Sequence, residues 1–159
     1  MGSTFSGRSF FNSAIDFCAY TDDIKFVGDI KMTKQIITTT NAPAAIGPYS
    51  QAVLTNGTLY ASGQIGLIPS TGEFAGETTL DQATQVFKNI DGLLAAADMT
   101  RADIVKVSVY LADMADFAPV NELYAEYFSD VDAFPARSAV AVATLPKNAR
   151  IEIEVIANK

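Results

Sequence analysis

The chain has no histidine, a single cysteine, and no apolar run near the eighteen or so residues a membrane helix needs. Without histidine, Ser-His-Asp triads, Cys-His dyads and His-ligated zinc are excluded. Cys18 lies in an N-terminal stretch set apart below, so the chain has no internal disulfide and its domain no thiol nucleophile; a reducing cytosol fits this. Basic residues are also few, 11 Lys and Arg against 18 Asp and Glu, for a formal net charge of −7. They are scattered, and so acidic a body repels phosphate backbones. Neither nucleic acid nor membrane is an expected partner. Catalysis must rest on carboxylates, Arg, Lys, Tyr, Ser, Thr or backbone groups.

At 159 residues, 49% of them hydrophobic, the chain suits one domain with one core. Residues 1–31 have no clean periodicity, and Met32-Thr33-Lys34 reads like a natural start, so the domain is set at 32–159. Three readings of 1–31 stand: an upstream extension, vector-derived or from an early start codon; a transit peptide, since residues 1–15 are Ser-rich and free of acids; and a myristoylation pattern at Gly2 and Ser6. The expected location is the cytoplasm, with organellar targeting by residues 1–31 left open.

Within the domain, Lys34–Thr39 is a short β-rich run. Ser50–Leu54 and Thr58–Gln64 flank Asn56-Gly57, a strong hairpin signal. Thr79 and Gln82 form a capping box for a helix whose apolar stripe is Leu80, Ala83, Val86, Phe87, Ile90, Leu93, Leu94 and Ala97. Gly92 inside it weakens the helix by about 1 kcal/mol relative to Ala. Asp103–Leu111 alternates, with Val105, Val107, Val109 and Leu111 on one face. A second helix runs from Phe117 to Phe128, with Pro119 tolerated in its first turn. Two strands, Ser138–Ala143 and Arg150–Ala157, close the chain. The order β-β-β-α-β-α-β-β predicts an α+β fold with both helices on one face of a mixed or mostly antiparallel sheet. Ala139, Ala141 and Ala143 alternate with Val140 and Val142, so that strand is apolar on both faces. A neighbouring subunit is expected to cover it.

Arg137 stands at the entrance to that strand. An arginine is ordinarily a solvated surface residue. Here it adjoins small apolar residues with no carboxylate in near sequence, and a guanidinium in such a place presents a fork of donors matched to a carboxylate. Period two sets Glu152 and Glu154 on one face of the last strand, either a solvated polar face or, for Glu152 nearer the strand start, a site. If the last two strands pair as a hairpin, Arg137 falls opposite Val155–Ala157, away from Glu152. Gly47-Pro48-Tyr49 and Ser62-Gly63-Gln64 read first as turns and bulges, and second as close approaches to a small anion. Asn121 is by default a first-turn polar residue.

Four segments taken together resemble the RidA/YjgF family: Asn41 to Gln51 (NAPAAIGPYSQ), Ser62-Gly63-Gln64-Ile65, Phe134-Pro135-Ala136-Arg137-Ser138, and Leu145 to Glu154 (LPKNARIEIE). The match runs in order from about Met32 to the C-terminus. The resemblance implies a chorismate-mutase-like fold (bacillus type), a homotrimer with clefts between subunits, and hydrolysis of 2-imino acids such as 2-iminobutanoate and 2-iminopropanoate to 2-keto acids and ammonia. It implies no cofactor and no metal. The family's carboxylate-binding arginine falls on Arg137 and its water-activating acid on Glu152. Its other pocket residues fall on Tyr49, Ser62, Gly63 and Asn121. Many members carry cysteine where this chain has Ala139, so functions tied to that thiol are not expected. Two rival readings are a non-catalytic binder of small carboxylates and, less in keeping with the acidic charge, an endoribonuclease or translation inhibitor.

Overall fold

The computed structural model describes residues 34–159; the readings made for residues 1–31 lie outside them. Seven strands and two α-helices follow the order β1 (Gln35–Ile37), β2 (Ala52–Thr55), β3 (Thr58–Ala61), β4 (Gln64–Ile65), α1 (Thr79–Ala96), β5 (Ile104–Leu111), α2 (Phe117–Tyr127), β6 (Ala136–Ala141) and β7 (Ile151–Asn158). They form one mixed sheet in the order β1-β2-β3-β7-β5-β6, with β4 also on β7. Only the β5–β6 pairing is parallel. Both helices pack on one face of the sheet, and the predicted α+β class holds. No helix among the described residues is long and apolar enough to cross a membrane.

The β2–β3 hairpin turns at Asn56 and Gly57, whose φ values of 49° and 75° are those of a type I′ turn. The third predicted strand is split. Tyr60 pairs with Ile156 and Gln64 with Ile153, four residues against three, so one extra residue bulges at Ser62-Gly63. The capping box of α1 lies one residue earlier than expected. Thr78, extended at φ −84° and ψ 155°, accepts from Asp81 N at 3.1 Å, and the Asp81 carboxylate accepts from Thr78 N at 3.3 Å. Thr79 instead donates to Asp116, and buried Gln82 accepts from Arg150 N at 2.8 Å. Leu80 faces outward, off the predicted stripe. Gly92 has a packing reason: a Cβ there would come within 2.6 Å of the Asn41 carbonyl oxygen.

Two further expectations fail. A β-bulge between Ile104 and Lys106 turns Ile104 inward and leaves Val105, expected in the core, 49% exposed. The last two strands do not form a hairpin. From β6 the chain steps across β5 (Val142 N donates to the Leu111 carbonyl, Ala112 N to that of Arg150) and β7 inserts between β3 and β5. The step is made through a 3-10 turn at Pro146–Asn148, where Lys147 and Asn148 hold positive φ. A central position suits β7. Ile151, Ile153, Val155 and Ala157 are buried on its helix-facing side, and removing one large buried side chain of this kind costs about 2–5 kcal/mol. In β6, by contrast, Val140 is 47% exposed on an edge strand whose remaining residues, Ala139 apart, are also exposed.

Candidate active site

The alternation of β7 places the site carboxylate. Ile151, Ile153 and Val155 point at the helices, so Glu152 and Glu154 point to the opposite, open face of the sheet. Glu152 lies level with Ile65 of β4 and Tyr110 of β5. Its carboxylate rests on the bulge, where a Cβ at Gly63 would fall 1.9 Å from Oε1. Only glycine leaves that space. Burial, and then the charge of Glu154, holds the Glu152 carboxyl above its ordinary value. Glu154 in turn accepts from the Tyr110 hydroxyl at 3.2 Å.

Around Glu152 lies a cleft of about 320 Å³ whose walls include Tyr49, Ser62, Gly63, Ile65 and Pro146. Ser62 is fixed by its own bonds, N–H to the Gln51 carbonyl at 3.0 Å and Oγ to the Ser50 carbonyl at 2.7 Å. Tyr49, half exposed, accepts from Ile46 N at 3.4 Å. The wall is held by a residue that the sequence pattern does not single out, Gln51. The buried Gln51 amide donates to the carbonyls of Thr39, Ala42 and Pro43 at 3.0, 3.1 and 2.8 Å and accepts from Thr39 N at 2.8 Å. A lone glutamine beginning a β-rich run gives no signal of this, because its partners are backbone groups of a distant loop.

Arg137 sits elsewhere. It is level with Val107, a helix-facing core residue, and so lies on the helix side of the sheet at the β6 edge. There a second cleft, about 310 Å³, is lined by Asn121, Tyr124, Ala125, Phe134, Pro135 and Arg137. The guanidinium carbon stands 4.5 Å from the Tyr124 ring centroid and 5.5 Å from that of Phe117. Among the described residues Arg137 has no acidic partner, the ion pair there being Arg101 with Asp91. The six predicted site residues thus fall into two groups, Tyr49, Ser62, Gly63 and Glu152 on one side of the sheet and Asn121 with Arg137 on the other. Within one chain the sheet separates them.

An arginine at an exposed sheet edge and a recessed carboxylate on the open face are the charged groups of the two clefts of this α+β protein. The family model described as Endoribonuclease L-PSP matches residues 39–159, and the chain belongs to this family, the RidA/YjgF family. The 2-iminobutanoate/2-iminopropanoate deaminase of Homo sapiens is 48% identical over 126 residues, which span 79% of this chain and 90% of that protein. Reactive Intermediate Deaminase A, chloroplastic, of Arabidopsis thaliana is 44% identical over 154 residues, spanning 97% of this chain and 80% of that protein. The crystal structure of YyfA, a conserved Rid family protein from Yersinia pestis, superposes with a TM-score of 0.78 at 49% identity, covering 80% of this chain and 100% of the other. The chorismate-mutase-like fold expected from the sequence is the fold of these neighbours.

Proposed function

We propose that the protein is a 2-imino acid deaminase that hydrolyses its substrate to a 2-keto acid and ammonia without a cofactor, as a homotrimer with active sites between subunits. The observation that carries this is the presence, in one chain, of a guanidinium without an acidic partner among the described residues and of a partly buried carboxylate on the other face of the same sheet. One chain has both halves of a site and keeps them apart. A neighbouring copy docked on the exposed edge strand β6 can bring its Glu152 cleft against Arg137, and a closed symmetric ring satisfies every subunit alike. The names of the human and Arabidopsis relatives support the same reaction.

The chemistry needs little. Arg137 pairs with the substrate carboxylate and so fixes C2 within reach of a water. Glu152 takes a proton as the water oxygen bonds to C2, giving a tetrahedral carbinolamine. That proton passes to the amino nitrogen; Glu152 then takes the hydroxyl proton as the C2–O bond becomes the carbonyl of the 2-keto acid, the C–N bond breaks and ammonia departs. A carboxyl held above its usual value suits this exchange, because a base nearer the working pH also returns the proton readily. Asn121, Tyr49 and the Ser62-Gly63 backbone line the remaining walls and orient the substrate.

The test is the decay of 2-iminopropanoate and 2-iminobutanoate, generated from serine and threonine by a dehydratase. Faster decay with catalytic amounts of the protein is expected. Unchanged decay alongside measurable affinity for 2-keto acids would select a carboxylate sensor instead. For location we propose the cytoplasm; import of a reporter fused to residues 1–31 into an organelle would overturn that.

A further inference from the structure

An arginine that must grip a substrate carboxylate faces a conflict. A flexible guanidinium has to be held still, yet the usual holder, an acid, would occupy the N–H donors and cancel the charge that the substrate needs. Within its own chain Arg137 has no acidic partner among the described residues, and its guanidinium donates no hydrogen bond to another described residue. What it does have is aromatic. Phe117, Asn121 and Tyr124 recur at helical spacing along one stripe of α2, and the Arg137 guanidinium carbon lies 4.5 Å and 5.5 Å from the two rings.

We infer that Tyr124, with Phe117 beside it, is a positioning residue: its ring face holds the Arg137 guanidinium in place while leaving the N–H donors open to the substrate carboxylate. The inference rests on the reading of Arg137 as the carboxylate anchor. The ring is a rigid support. Tyr124 is 4% exposed, its centroid is 4.7 Å from that of Phe128, and it meets Phe87 edge-on at 6.4 Å and stacks with Phe134 at 6.4 Å. Its hydroxyl plays no part in this. Tyr124 Oη is the one buried side-chain nitrogen or oxygen among the described residues without a hydrogen-bond partner. An orphaned hydroxyl on a well-packed ring is what remains when the ring face is the useful part.

Pyruvate, a stable 2-keto acid, probes the anchor directly, and its Kd is measured beside steady-state turnover. Tyr124→Leu should weaken pyruvate binding and raise KM by roughly five- to thirty-fold, the value of one ring face under a partly desolvated cation, with kcat changed far less. Tyr124→Phe, which keeps the ring, should recover most of the lost affinity. Wild-type affinity in Tyr124→Leu, or an equal loss in Tyr124→Phe, overturns the inference. Should Tyr124→Leu not fold, Phe117→Leu takes its place: a smaller loss in the same sense is expected, and an unchanged Kd is contrary. The underlying reading fails separately, through Arg137→Ala binding pyruvate as well as wild type.

Discussion

Two arginines lie over two tyrosines of the same helix, one turn apart, and they have opposite fates. Arg101 stands 4.1 Å from the Tyr127 ring centroid and Arg137 stands 4.5 Å from that of Tyr124. Arg101 has Asp91 of α1 in reach. It donates to both carboxylate oxygens at 3.0 and 2.7 Å and to the Tyr127 carbonyl at 3.0 Å, while the Tyr127 hydroxyl closes on Asp91 at 2.6 Å. This raises the pKa of Arg101 through its bond to Asp91, and burial, with Asp91 beside it, pushes that of the Tyr127 hydroxyl up. The cluster ties α1, α2 and the approach to β5 together. Arg137 has the ring and, among the described residues, no acidic partner. On the proposed function, the same aromatic platform makes a structural staple in one place and a carboxylate receptor in the other, and an acid in reach decides which.

The sharpest way to break this comparison is to remove each arginine. Arg137→Ala should lower 2-iminopropanoate hydrolysis by about a thousandfold or more, since substrate orientation is lost, with thermal stability close to wild type. Arg101→Ala should do the reverse, retaining turnover while losing about 1–2 kcal/mol in urea denaturation, a discounted figure because the pair is a third exposed at 35% and 36%. Similar stability losses in both variants would dissolve the distinction. Supplying Arg137 with an acid sharpens it further. Ala125→Glu in the same cleft should capture the guanidinium and cut kcat/KM by about tenfold, with part of the loss reversed by added salt.

The Glu152 cleft gives smaller effects. Gly63→Ala should displace the carboxylate, whose Oε1 would lie 1.9 Å from the new Cβ; because the end of a flexible side chain can move aside, kcat should fall about tenfold with little change in melting temperature. Glu152 must be ionised to act as a base, and its pKa is raised by burial and by Glu154. Activity should therefore be lost on acidification at a higher pH than for an ordinary carboxylate. Glu154→Gln removes the second cause, so the acid limb of kcat/KM should move to lower pH; an unmoved or rising limb would count against Glu152 as the base.

The sequence made local features legible and the long-range ones less so. Asn56-Gly57 announces its hairpin because the turn requires positive φ at both residues, and the Glu152–Glu154 face follows from period two. The capping box slipped by one residue because Thr78 and Thr79 both suit the cap, and only the backbone angles choose between them. The bulge that exposes Val105 and the one that seats Glu152 depend on pairing with β7, about fifty and about ninety residues away in sequence, which no local pattern encodes. The supposed final hairpin failed for a related reason. A short connection permits a hairpin but does not require it, and β7 finds apolar neighbours on both sides between β3 and β5. Arg137 and Glu152 were legible as residues, through the family resemblance. Their separation by the sheet was not.

That separation supplies the most direct test. Arg137→Ala and Glu152→Gln subunits, each inactive alone, are co-expressed with different tags and purified as mixed oligomers. If each site takes its arginine from one subunit and its acid from the next, random mixing should restore about a quarter of the wild-type activity, because one in four neighbour pairs then holds both intact groups. Mixed oligomers that form and stay inactive would contradict a site shared between subunits.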